Sequence, residues 1–195
     1  RFAMRVEQAV ELDEGSPKLE IPWPAAKPNS GYFDLRDDPR AIARIEPARQ
    51  HPPLRVFLVA LNGEDSVFAT ARCGLSRREQ GSPAPNAQEF SSEIVLMFAE
   101  MPLNLEQGRF EELSRRLAEL LEREGGADYL SVRLCLQQCR FAVASRGGFC
   151  LSVLLSARGA TAEQAEMRWG LALARAQQAL LFLSRVLRQQ GAANL

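Results

Sequence analysis

The sequence predicts an α+β domain, a mainly antiparallel sheet packed against helices and closed by a long C-terminal helix. Three observations carry this. Between Asn104 and Leu187 the apolar residues recur at three and four, then at two, then at three and four again, which reads as helix, strands, helix. Glycine pairs at 125–126 and 147–148 supply turns within that stretch. The chain has 195 residues and 46% hydrophobic content, enough for a core in one domain spanning 1–195. The predicted order is β-α-α-β-β-α-β-β-β-α.

Taken in order, residues 2–12 alternate: Phe2, Met4, Val6, Val10 and Leu12 on one side, Arg5, Glu7 and Glu11 on the other. That is a strand with one buried face. Residues 13–30 hold Pro17, Pro22, Pro24 and Pro28 and read as an arm or loop around Trp23. Asp38-Pro39 starts a helix that Pro47 limits to about two turns. Residues 53–61 fit a helix opened by Pro53 and closed by Asn62-Gly63, or a strand turning at that pair; we favour the helix. Val67 to Cys73 is a strand, Gly81 to Gln88 a loop, and Ile94 to Ala99 a strand apolar on both faces.

The next helix opens at Asn104, with Gln107 completing a capping box, and puts Phe110, Leu113, Leu117, Leu120 and Leu121 on one stripe. Leu130, Val132, Leu134 and Leu136 then alternate with polar residues, and beyond Gln137-Gln138 the parity flips to Cys139, Phe141 and Val143. A flat strand cannot do that, so a turn or bulge is expected at the glutamines. With Arg146-Gly147-Gly148 as the following loop, Val143 faces Leu151, Phe141 faces Val153 and Cys139 faces Leu155. The last helix, 162–189, opens with Thr161 and Gln164 as a capping box. Its stripe is Trp169, Leu173, Ala176, Leu180, Leu183 and Leu187, while Leu171, Leu181, Phe182 and Val186 widen it beyond what one sheet face covers. Gly170 permits close backbone approach.

Lysine plus arginine and aspartate plus glutamate both number 24, so no global field favours nucleic acid or an anionic membrane. No apolar run approaches the ~18 residues of a membrane span. Cys73, Cys135, Cys139 and Cys150 lack paired zinc spacing and read as reduced, small apolar residues, in keeping with a cytoplasmic location. His51 is the only histidine and lies beside Pro52 in an expected exposed loop, so no histidine pair can bind metal or relay protons. Dinucleotide, phosphate-loop and nucleophile-elbow motifs are missing. Asp34, Asp37 and Asp38 cluster, but capping and the adjacent Arg36 and Arg40 explain them without a cation. Arg77-Arg78 and Arg115-Arg116 read as solvated faces.

From Val67 onward the order ββαβββα resembles that of Roadblock and longin-like domains. That resemblance implies a sheet on helices that dimerises or scaffolds partners. It covers the last two-thirds of the chain and rests on element order, which does not transfer function.

The expected function is therefore a non-enzymatic protein-interaction or regulatory module, a homodimer with no cofactor, with Leu171, Phe182 and Val186 at or near the interface. The alternative is a small-ligand-binding protein or weak enzyme with a pocket between the 17–33 arm and the sheet, lined by Trp23 and Tyr32.

Overall fold

A computed structural model of the chain describes residues 3–13, 19–23, 32–79, 87–122, 126–142 and 145–192. The order is β1 (Ala3–Glu11), β2 (Leu19–Ile21), a 3-10 helix (Pro39–Arg44), α1 (Glu46–Gln50), α2 (Pro52–Leu61), β3 (Phe68–Glu79) and β4 (Gln88–Phe98). A second 3-10 helix (Met101–Leu105), α3 (Gln107–Glu122), β5 (Gly126–Phe141), β6 (Arg146–Gly159) and α4 (Ala162–Ala192) follow. The class is α+β. One mixed sheet runs β1-β5-β6-β4-β3, with β2 beside β5 and beyond the end of β1. Strands β3 to β6 pair antiparallel, whereas β1 and β2 run parallel to β5.

Helix α4 lies across β6 and β4 with α2 and α3 on its flanks. Trp169, Leu173, Ala176 and Leu180 step by four and three and are fully buried on the sheet. Thr161 caps the helix, its Oγ1 accepting from Gln164 N at 3.2 Å, and Gln164 Oε1 accepts from Ala160 N at 2.7 Å. Helix α2 confirms the favoured reading of 53–61. Its Pro53 ring stands 3.3 Å from where a Cβ on Gly170 would sit, so glycine there sets the spacing of α2 and α4.

Several expectations are corrected. Strand β5 runs unbroken through Gln137-Gln138, with no register slip against β6. Leu130, Val132, Leu134 and Leu136 face the helices, while Cys139 and Phe141 belong to a second cluster with Ile21, Trp23, Val95 and Met97 on the other face. The parity flip marks a change of buried face. Two strands, not three, therefore separate α3 from α4, and a strand the sequence did not announce, β2, lies within 13–30. The rest of that arm and most of the 81–88 loop fall outside the described residues.

The hairpin register also differs. Leu134 faces Val153, Leu136 faces Leu151, and Cys139 faces Gly148. Strand β5 ends at Phe141 and β6 already begins at Arg146, with Ser145 left-handed at φ 48°, so 146–148 is strand and not loop; Val143 lies outside the described residues. Gly148 is needed for space instead: a Cβ there would lie 2.6 Å from Asn104 O and 2.7 Å from the Phe141 ring.

Asn104 does not cap α3. Fully buried in the second 3-10 helix, it accepts from Phe98 N at 2.7 Å through Oδ1 and donates to Phe98 O at 2.9 Å through Nδ2. Its carboxamide thus stands where a neighbouring strand would, since β6 pairs with β4 only as far as Leu96. Asp38 makes no side-chain cap and instead pairs with Arg44 at 3.5 Å. Pro47 lies in the first turn of α1 rather than ending a longer helix. Val10 of β1 is exposed, although it shares its strand face with Met4.

Candidate functional site

The outward side of α4 follows from its period. Met167, Leu171, Gln178 and Phe182 are spaced by four, seven and four, which places them on one line opposite the buried stripe. Met167, Leu171 and Phe182 are 62%, 46% and 47% exposed. Val186 is half-buried beside Phe182, and with Leu120, Arg115, Arg116 and Glu119 they line a shallow groove of about 270 Å³ between α3 and α4. Arg115 and Arg116 are neutralised within α3 by Glu112 and Glu119. On α2, Val56 and Val59 are exposed as well. Large apolar side chains thus interrupt an otherwise charged helical layer.

A second concavity of about 280 Å³ opens beside the end strand β3. Tyr32, Phe33, Ile45 and Leu58 line it, with Arg44, Glu46, Thr70 and Arg72 as polar members. Burial and the nearby Asp34 carboxylate push the Tyr32 hydroxyl far above its ordinary range. Arg44 stacks on Phe33 at 4.6 Å. Trp23 is not part of this cleft. It is buried edge-on against Phe141, 6.1 Å between centroids, and donates through Nε1 to Asp34 Oδ2 at 3.0 Å, fastening the arm to the sheet. The other Asp34 oxygen accepts from Arg36 N and Asp37 N, so this carboxylate organises a turn.

His51 is corrected from exposed loop to core. It is 6% exposed at the start of α2, its ring against Phe90 at 5.3 Å and Trp169 at 6.0 Å. Nδ1 meets Glu166 Oε1 at 2.7 Å, and Glu166 Oε2 accepts from Arg77 at 3.0 Å. The Trp169 indole is engaged by Ser92 Oγ at 2.8 Å. Sequence spacing gave no signal for this cluster, because its members come from α2, α4, β3 and β4.

The cysteines are reduced. In the observed register Cys139 and Cys150 are diagonal neighbours on one face. A hydrogen bond with Cys139, together with burial, holds the Cys150 thiol far above the usual thiol range.

No family model, curated protein or solved structure matched this chain. Among the described residues no helix is long and apolar enough to cross a membrane.

Proposed function

We propose that this chain is a non-enzymatic protein-interaction module that works as a homodimer, two copies meeting through the outward side of α4. The spacing of the exposed apolar residues carries the reading. Leu171 and Phe182 lie equally far on either side of a point between Ala176 and Gln177, and so do Met167 and Val186. Two antiparallel copies of α4 related by a two-fold axis at that point bring Leu171 level with Phe182 of the partner subunit. Met167 comes level with Val186 of the partner subunit. An isologous interface has to be self-complementary in this sense. At 1.5 Å per residue the contact is about 28 Å long.

Sedimentation equilibrium at micromolar and higher concentration tests it. The native chain is expected to be dimeric, and Leu171→Lys or Phe182→Glu alone monomeric. The double variant regains mass, because the two introduced charges then lie opposite one another. A native chain that stays monomeric overturns the reading. The cleft beside Tyr32 supports the second reading, a small-ligand-binding protein, with Thr70 and Arg72 as its anchoring groups; a thermal shift on adding small carboxylates checks it.

A further inference from the structure

We infer that the outer edge of β3 docks an extended acidic peptide, which joins the sheet as an added strand and places one apolar side chain in the cleft beside Tyr32. This is independent of pairing through α4.

Strand β3 ends the sheet, so one row of its backbone groups faces away from β4. Ala99 N donates to Val67 O, which sets the phase of that ladder. Odd-numbered residues of β4 bond toward β3, and Phe98 points the other way, to Asn104. Phe68 and Thr70 consequently face outward. The chain closes both with its own side chains. Phe68 O accepts from Arg36 Nη1 at 3.1 Å, Phe68 N donates to Ser66 Oγ at 3.0 Å, and Thr70 N donates to Asn62 Oδ1 at 3.0 Å.

The register slips between Thr70 and Arg72. Beyond the slip the outward residues are Cys73, Leu75, Arg77 and Glu79, and no group among the described residues bonds their outward N–H and C=O. Protection of the edge therefore stops where the cleft begins. At about 280 Å³ the cleft falls just under the ~300 Å³ at which small-molecule pockets begin. It suits a side chain of an added strand, the arrangement in which main-chain bonds supply affinity and a pocket supplies selectivity.

Charge selects the occupant. The open stretch carries Arg72, Arg77 and Arg78 against Glu79. Arg77 is shared with Glu166, and Glu89, opposite Arg78, is held by Arg158 at 3.2 Å. Arg72 and Arg78 have no ion pair among the described residues. An acidic strand satisfies them. A second copy of β3 does not, because full overlap about Leu75 sets Arg72 against Arg78 of the partner subunit.

The test uses the full chain and a fluorescein-labelled peptide, Glu-Val-Glu-Leu-Glu-Val-Glu, read by anisotropy. Saturable binding is expected, with slowed amide exchange at Leu75 and Arg77. Binding falls about tenfold or more when alternate peptide amides are N-methylated, when lysine replaces glutamate in the peptide, and in the exposed double variant Arg72→Glu/Arg78→Glu. The Phe182→Glu chain binds as the native one does, which separates this site from α4. No saturable binding, equal binding of the N-methylated peptide, or exchange protection elsewhere overturns the proposal.

Discussion

His51 Nδ1 and Glu166 Oε1 stand 2.7 Å apart although 115 positions separate them in the chain. The pair fastens the start of α2 to the second turn of α4, and Arg77 extends it to β3. His51→Ala removes a bond and opens a hole between Phe90 and Trp169. We expect a loss of about 2–4 kcal/mol in urea denaturation. Glu166 is about one-third exposed, so Glu166→Gln costs less, on the order of 1 kcal/mol. Equal costs for the two would show that the ring packing contributes little.

This cluster marks where the sequence stops being informative. A single histidine beside a proline carries no record of partners 26 to 118 residues away. Helix α4, by contrast, was legible throughout: period, cap and the surplus of apolar positions are all local. Strand β5 lies between these cases. The flip at Gln137-Gln138 was a true signal, but reading it as a break assumed that the sheet buries one face only. The second apolar face depends on Ile21 and Trp23, which reach β5 from more than a hundred residues upstream. The loop misassignment has a related cause. Gly147-Gly148 looks like turn chemistry, whereas Gly148 answers to the close approach of Asn104 and Phe141.

Leu134 and Phe141 test the two-faced strand directly. Both are fully buried, Leu134 under the helices and Phe141 under Trp23. Leu134→Ala is expected to cost about 2–5 kcal/mol and Phe141→Ala about 3–5 kcal/mol. Calorimetry on the two variants distinguishes the arrangements. An unbroken strand with only one buried face predicts that one of the two substitutions is nearly free, because Leu134 and Phe141 then point to opposite sides.

Asn104→Leu probes the strand mimic. Leucine fills a similar volume but leaves Phe98 N and O without partners at a buried site. Each unsatisfied group costs about 1–3 kcal/mol, so the variant should lose roughly 2–5 kcal/mol, and Phe98 should gain in amide exchange rate. A variant as stable as the native chain would mean that water takes over both bonds.

Cys135 gives a chemical readout of the same strand. Burial first, then its hydrogen bond to Glu11, pushes the thiol up to about 11. It therefore stays protonated at neutral pH, and iodoacetamide should modify it at pH 8 far more slowly than an exposed thiol. Adding denaturant should raise the rate to that of a model thiol. Fast labelling of the native chain at Cys135, located by peptide mapping, contradicts the packing described.

Glu11 sets a pH dependence. The hydrogen bond from Gln137 Nε2 at 3.0 Å, then the Cys135 thiol and the Arg133 charge, hold its carboxyl below the ordinary value of 4.5. The folded chain thus binds this proton less readily than the unfolded chain does. The contribution is fully present above the unfolded value, and it is lost as pH falls through the depressed folded one. Glu11→Gln keeps a neutral partner for Gln137 and removes the titration. In urea melts from neutral pH down to pH 3 the native chain should lead the variant near neutrality, and the gap should close through the acid range. A gap that stays constant with pH would mean that Glu11 ionises alike in both states and that Gln137 holds it only weakly in solution.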